Sequence, residues 1–393
     1  MRAQACVMLV AAEPSGDALG AALAEALQAT SDVRLIGVGG PLMKRRGIVS
    51  PFDIAPLSVL GIFDALAAYP LVRRRAVEVG KLAARERPDV VVLIDSWGFN
   101  LRVARAVRRR LPGVRLIKYV GPQVWATRAG RARTLAKAVD QLLTIHSFDA
   151  PWFERAGLAT SFVGNPILAA PRVGGEPDRF RARIGAAPDD PLLVVAPGSR
   201  RGEVERLMAP FEEAVRRLAV ERPTLKIVIL AADSVAGLVT VRAARWRSPT
   251  PIIVGETERQ DAMAAATAAL ACSGTVTTEL ALAGAPVVVA YRLDPPTAVI
   301  AKMLIRTPFI ALMNVAAGRE IAPEFVQSAC TGRRLAAALA PLLDDPEARA
   351  RQSEAQTEAL KLMGGGIKDP AGASARAVLA QIPTSQARAS IGL

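Results

Sequence analysis

The run Ala268-Ala269-Leu270-Ala271 leads directly into Cys272-Ser273-Gly274-Thr275-Val276-Thr277-Thr278-Glu279. A short apolar run, a turn of small residues and a helical pattern read as strand, loop and helix start. Such a junction aims backbone N–H groups and the positive end of a helix dipole at an anion. A second junction of the same kind is Pro197-Gly198-Ser199-Arg200-Arg201-Gly202-Glu203, after the run Leu192–Ala196. Two of them in one half of a chain suggest a diphosphate held from two sides. Glu279 lies one helical turn beyond Thr275 on the same face, placed to accept hydrogen bonds from a ribose while Thr275 faces the phosphate.

Further β-rich runs alternate with helical patterns. In the first half they are Cys6–Ala12, Arg34–Val38, Val90–Ile94, Leu116–Val120, Gln141–Ile145 and Ser161–Val163. The second half adds Lys226–Leu230, Pro251–Val254 and Pro286–Tyr291. Unbroken Val/Ile/Leu runs mark strands buried on both faces, and the alternation with helices marks parallel α/β sheets. The stretch Ala169–Pro191, rich in proline, glycine and charge, reads as a linker. The predicted layout is therefore two doubly wound, Rossmann-like domains, 1–170 and 171–344, facing across a cleft, with the ligand beyond the carboxyl ends of the strands. The helical stretch 345–382 is expected to close back over the first domain, and 383–393 to be a disordered tail.

With 393 residues, 51% of them hydrophobic, the chain has enough apolar surface for two cores. No apolar run is long enough to span a bilayer. Met1–Ala12 reads as a first strand and not a secretory signal, because Glu13 and Asp17 follow at once. Three scattered cysteines (Cys6, Cys272, Cys330) fit reduced thiols in the cytosol and exclude a disulfide framework. The net charge is +14, and the excess is uneven: residues 1–170 hold 23 Lys/Arg against 13 Asp/Glu. That basic half suggests an anionic partner, whether nucleic acid, anionic lipid or a phosphorylated substrate, or simply a solvated face. An aromatic content of 4% argues against base stacking on single strands. Leu57–Val72 is apolar and runs into Arg73-Arg74-Arg75. This suits an anionic membrane surface, and equally a core helix with a basic end.

Asp95 ends the strongest strand run and is placed for a general base; the competing role is a cap for the next helix. Ser15, Gly16 and Asp17 form a small-residue loop after the first strand that is expected to line the cleft on the first-domain, acceptor side; capping alone would explain Ser15 and Asp17. Arg200 is expected on phosphate oxygens through its bidentate fork, and Arg201 in solvent or in an ion pair. Gly37-Val38-Gly39-Gly40-Pro41 lacks the last glycine of a dinucleotide fingerprint, since position 42 is Leu42. No Walker A motif and no cluster with metal-ligand spacing appear, so no cofactor and no metal are expected. His146, the only histidine, has no nucleophile elbow beside it and reads as structural.

Taken together, GVGGPLM (37–43), LSVLGI (57–62), PDVVVLID (88–95), YVGPQVWA (119–126), PGSRRGEVE (197–205), SGTVTTE (273–279), YRL (291–293) and NVAAGRE (314–320) resemble the lipid-A-disaccharide synthases, glycosyltransferase family 19. The resemblance implies the two-domain GT-B fold. It implies transfer of 2,3-diacylglucosamine from UDP-2,3-diacylglucosamine to 2,3-diacylglucosamine 1-phosphate, with inversion and release of UDP. It also implies peripheral attachment at the cytoplasmic face of the inner membrane, with no nucleic-acid partner, and a homodimer is compatible with it. Carried over by motif, Asp95 is the catalytic carboxylate, Ser199 and Arg200 contact phosphate, Ser273, Gly274 and Thr275 form the nucleotide loop, and Glu279 meets the ribose. Asn314, Arg319 and Glu320 fall in a further motif near the cleft. The chain departs from the family's usual residues at Ser96-Trp97-Gly98 (Ala-Pro-Asp), Lys118 (His) and Gly164-Asn165 (Gly-His). All three departures lie on the acceptor side. A UDP-sugar 2-epimerase, a peptidoglycan glycosyltransferase and a non-catalytic nucleotide-sugar or lipid-binding relative remain as alternatives.

Overall fold

The computed structural model describes residues 4–57, 62–126, 130–169, 175–246, 250–294, 298, 307–364 and 366–382, with the side chains of 62–68 excepted. The chain divides into two compact units. The first contains residues 1–169 and 366–393, the second 170–365.

In the first unit β1 (Ala5–Val10), β2 (Val33–Val38), β3 (Val90–Ile94), β4 (Arg115–Tyr119), β5 (Gln141–Thr144) and β6 (Ala159–Phe162) form one sheet in the order β2-β1-β3-β4-β5-β6. Every pairing is parallel. β1 and β3 are buried throughout nearly their whole length because helices cover both faces. One face carries Met8, Val10, Leu93 and Val103 in a common core; the other carries Val7, Leu9, Leu23 and Ile94. At Gly37 a side chain is excluded: its φ is +153°, and an added Cβ would lie 1.8 Å from the Leu9 carbonyl oxygen of the paired strand.

In the second unit β7 (Leu192–Ala196), β8 (Lys226–Leu230), β9 (Ile252–Ile253), β10 (Ala268–Cys272), β11 (Val287–Tyr291) and β12 (Glu324–Val326) form a second parallel sheet, ordered β12-β11-β10-β7-β8-β9. Helices Arg201–Glu221 and Gly332–Asp344 pack over one face, with Leu207, Phe211, Leu335 and Leu339 buried against Val195 and Leu270. β12 escapes sequence reading. It is a half-buried edge of three residues with no apolar run, defined only by its register against Val289–Tyr291.

The structure splits the helical stretch expected to return as a whole to the first domain. Helix Pro346–Leu362 stays with the second unit, where the Gln356 carboxamide accepts from the Val287 N–H and donates to the Ala285 carbonyl. Only helix Pro370–Leu379 joins the first unit, with Ala375 and Val378 in the core beside Leu23 and Leu27. The physical reason is polarity. Pro346–Leu362 carries a buried glutamine that answers the buried polar groups at the start of β11, whereas Pro370–Leu379 offers small apolar residues to a helix–helix contact. The expected tail at 383–393 lies outside the described residues.

Residues 58–61 lie outside the described residues, and a single helix runs from Ile62 to Glu86, through Pro70 and the three arginines. Its later turns are core, with Ala76, Val79 and Ala83 buried. Arg75 stacks over Phe52 at 4.5 Å and pairs with Glu78 at 2.6 Å. Among the described residues no helix is long and apolar enough to cross a membrane.

Candidate functional site

In a doubly wound sheet, neighbouring strands whose following helices lie on opposite faces leave a crevice at their carboxyl ends. The first sheet reverses its order between β1 and β3, and the second between β7 and β10. Four of the places singled out in the sequence, the Ser15–Asp17 loop, Asp95, Pro197–Glu203 and Ser273–Glu279, follow these four strands.

In the second unit, Gly198, Ser199, Arg200, Glu203, Leu230, Ala232, Arg259, Ser273, Gly274, Thr275 and Glu279 are among the residues lining a cavity of about 250 Å³. Ser273 is tied down by the Ala290 and Ile310 carbonyls, accepting its backbone N–H (3.3 Å) and hydroxyl (3.2 Å) respectively. Gly274 then opens helix Thr275–Leu282 with no capping side chain; the Thr277 N–H donates to the Gly274 carbonyl at 3.2 Å, and those of Thr275 and Val276 precede the helix's own bonding pattern. Glu279 sits on that helix 3.6 Å from Arg259. Burial pushes its carboxyl above the usual range, and the Arg259 guanidinium opposes this.

The Pro197–Glu203 turn differs from the expectation of two open amide corners. Glu203 is buried, and its carboxylate accepts the N–H groups of Ser199 (3.1 Å) and Arg200 (3.3 Å). These amides are therefore already satisfied from inside the helix. Gly198, at φ +113°, permits this closure, since a Cβ there would lie 2.5 Å from the Glu203 carboxylate. What this corner offers a phosphate is the Arg200 side chain, 56% exposed and 3.2 Å from Glu203. Arg201 pairs with Glu205 at 2.9 Å.

In the first unit, Asp95 is half-buried at the end of β3. Its φ is +51° and that of Ser96 is +34°. Asp95 does not cap the following helix. The helix Trp97–Arg108 starts at Ser96 with no side-chain cap, and the Asp95 carboxylate accepts instead from the Ser15 hydroxyl at 2.7 Å. The Ser15–Asp95 bond joins the ends of β1 and β3, bridging the point where strand order reverses. Gly16 is buried beside Ala11, Ile94 and Asp95.

Asp17 is corrected from a ligand-facing loop residue to a structural one. It is 3% exposed, and its carboxylate accepts the N–H groups of Gly40 (2.8 Å), Leu42 (2.9 Å) and Met43 (3.0 Å). It thereby caps the helix Pro41–Arg45 from a distance. Asn314, from the further motif placed near the cleft, is buried. Its carboxamide donates to the Ala322 carbonyl and Glu324, and accepts from the Ile321 and Ala322 N–H groups, which uses all its hydrogen-bonding capacity inside the unit. Arg319 and Glu320 lie exposed on the turn that follows, where Glu320 accepts the Glu324 N–H at 3.2 Å.

Sequence reading missed Arg259. It lies on helix Glu256–Ala265, in a stretch with no strand-end signal, and reaches the cavity only through the fold. Its Nε is buried without a hydrogen-bond partner. His146 is 7% exposed, 3.4 Å from Asp149, and stacks on Phe148. Among the described residues, no group of three or more His, Cys, Asp or Glu side chains is placed to hold a metal.

Known proteins can now be set beside this geometry. The protein is 40% identical over 375 residues to a lipid-A-disaccharide synthase of Rhodospirillum centenum, covering 95% of this chain and 94% of that protein. It is 38% identical over 374 residues to one from Pseudomonas aeruginosa, covering 95% and 97%. Its fold is similar to that of the S. aureus MnaA–UDP co-structure (TM-score 0.64, 14% identity, 99% of this chain and 98% of that one). It is also similar to the calicheamicin glycosyltransferase CalG4 (TM-score 0.56, 19% identity, 98% and 100%). At such identities these structures establish the two-sheet GT-B architecture alone. The family described as lipid-A-disaccharide synthetase matches residues 7–377, and the chain belongs to that family.

Proposed function

We propose that, in this glycosyltransferase of lipid A biosynthesis, Asp95 acts as general base and the cavity lined by Arg200, Gly274, Thr275 and Glu279 holds the UDP of the donor. The donor is UDP-2,3-diacylglucosamine and the acceptor is 2,3-diacylglucosamine 1-phosphate. The acceptor's 6-hydroxyl attacks the anomeric carbon from the side opposite the diphosphate. Asp95 takes the hydroxyl proton as the new C–O bond forms. The anomeric C–O bond to the diphosphate breaks, and UDP leaves with both electrons of that bond. The Thr275 helix start and the Arg200 guanidinium stabilise the departing charge, and Glu279 accepts from the ribose hydroxyls. Substrates with long acyl chains bring the enzyme to the cytoplasmic surface of the inner membrane, where the basic first half meets anionic lipid.

The observation that best supports this reading is the cavity itself. It lies at the carboxyl ends of the strands flanking the second sheet's reversal point, and it joins an uncapped helix start, an exposed arginine and a half-buried glutamate. Incubation of the purified protein with both lipid substrates is expected to yield one disaccharide 1-phosphate per UDP released. With the donor alone, the sugar should stay unchanged. Epimerised sugar in that control, or UDP binding with no disaccharide, would overturn the assignment.

Glu279 provides a finer check. Glu279→Gln removes the charged acceptor while keeping the shape. We expect the dissociation constant for UDP to rise by about 10-fold, the effect of losing one hydrogen bond to a charged group. Turnover at saturating donor should stay near that of the parent. Calorimetric titration with UDP reads the first effect, and a donor saturation curve the second.

A further inference from the structure

β4 carries a lysine in its interior. In Arg115-Leu116-Ile117-Lys118-Tyr119 the last four residues are buried, and Lys118 is 2% exposed. A buried ammonium is tolerated only when each of its N–H groups finds an acceptor. Here Nζ donates to three carbonyls: Leu93 at 3.2 Å, Tyr119 at 3.2 Å, and Asp95. Three donors meet three acceptors, and all three acceptors belong to the ends of β3 and β4.

Those two strand ends are also where the backbone is unusual. Asp95 (φ +51°), Ser96 (φ +34°) and Val120 (φ +68°) all adopt left-handed conformations without being glycine. Such residues persist only where their surroundings over-determine them, and they concentrate at functional sites. The Asp95 N–H donates to the Tyr119 carbonyl at 2.9 Å, tying the two ends together. Asn100 holds the same turn from the helix side, donating to the Ile94 carbonyl (2.7 Å) and the Asp95 carbonyl (2.9 Å). Lys118 closes it from below the sheet's end.

We infer that Lys118 is a positioning residue for glycosyl transfer: by gathering the Leu93, Asp95 and Tyr119 carbonyls it holds the left-handed strand end that presents the Asp95 carboxylate. This rests on the reading of Asp95 as the base. Lys118 touches no substrate, since it is sealed within the first unit. It acts through the main chain, fixing where the carboxylate oxygens stand relative to the acceptor hydroxyl. A base displaced by a fraction of an ångström loses turnover while donor binding in the second unit is unaffected.

The charge state of this ammonium gives a second handle. Burial pushes its pKa down from the ordinary lysine value to about 7, while Asp95 and Glu13, the charged groups acting on it, favour the ammonium. The sign follows from the donor count. The ammonium serves all three carbonyls; the neutral amine has only two N–H groups and turns a lone pair toward the third. The hold is complete at low pH and loosens as pH rises through the lysine's pKa.

The test uses the full-length protein with both lipid substrates. Lys118→Met keeps an unbranched side chain, one atom shorter, and removes every donor. We expect kcat to fall roughly 10- to 100-fold with KM for the donor and the UDP dissociation constant unchanged. A kcat within about 3-fold of the parent, or a loss carried by KM, overturns the proposal. Should Lys118→Met not fold, as judged by circular dichroism and thermal unfolding beside the parent, the parent's pH profile decides. A kcat that declines on the alkaline side of about pH 7 supports the role, and a kcat flat from about pH 6 to pH 9 refutes it. Asp95→Asn, assayed in parallel, separates the two ideas. If Asp95→Asn is fully active, the base assignment fails. If Asp95→Asn is inactive while Lys118→Met turns over normally, only the Lys118 proposal fails.

Discussion

Asp95→Asn lowers kcat for disaccharide formation by about 10²- to 10⁴-fold, the range that a positioned general base contributes. The carboxamide keeps the size of the side chain and can still meet the Ser15 hydroxyl that now donates to Asp95 at 2.7 Å. The left-handed turn at 95–96, held by the Asn100 carboxamide, is therefore kept. What is lost is the ability to take a proton from the attacking hydroxyl. UDP affinity is expected to be unchanged, because the cavity proposed to hold it lies entirely within the second unit. The measurement is a steady-state assay of disaccharide formation beside a UDP titration of the same preparation. A variant that turns over at the parent rate would remove Asp95 from the base role. Ser15→Ala is the milder companion: it removes the hydroxyl that donates to the Asp95 carboxylate, and so tests orientation and not chemistry.

The second large effect falls on stability. Asp17→Ala is expected to lower the free energy of unfolding by about 2–4 kcal/mol, because three backbone N–H groups lose a buried acceptor together. Those of Gly40, Leu42 and Met43 converge on one carboxylate that is itself only 3% exposed. Alanine leaves no oxygen in their place. The turn at 40–43 fastens β2 to helix Pro14–Thr30, and Gly40 approaches too closely for the helix simply to shift inward: a Cβ there would stand 2.6 Å from Asp17. Urea denaturation followed by circular dichroism reads the loss, and UDP titration checks the second unit. An unchanged midpoint joined to lost transfer would return Asp17 to the ligand-facing role that its position in the Glu13–Asp17 loop suggests.

These two carboxylates show where sequence reading stops. Both follow strands, and both looked suited to a cleft. Local pattern cannot distinguish them, because their partners lie 23 to 26 residues away for Asp17 and 80 residues away for Asp95. The same holds in the second unit. That Pro197–Glu203 and Ser273–Glu279 are both strand-to-helix turns was legible from the apolar runs before them. That the first turn's amides are consumed by Glu203 depends on a side chain folding back through a glycine at φ +113°. Arg259 had no motif to mark it; helix Glu256–Ala265 simply delivers it to the cavity.

Among the described residues, eleven of the twelve strands, the parallel α/β class and the division into two sheets follow from hydrophobic periodicity, which the chain carries locally. Burial on both faces demands unbroken apolar runs, and each run marks itself. The motif order was equally local, and it led to the right family. Strand order is different, because it depends on which runs pair across tens of residues. It placed β1 beside β3 and β7 beside β10, and so decided which loops share a crevice. Tertiary structure alone also turned Asp17 and Asn314 into fasteners, divided the C-terminal helices between the units, and put Lys118 under the Asp95 turn. Each of these outcomes is a hydrogen bond or a packing contact between distant residues, and no local pattern encodes a partner that far away.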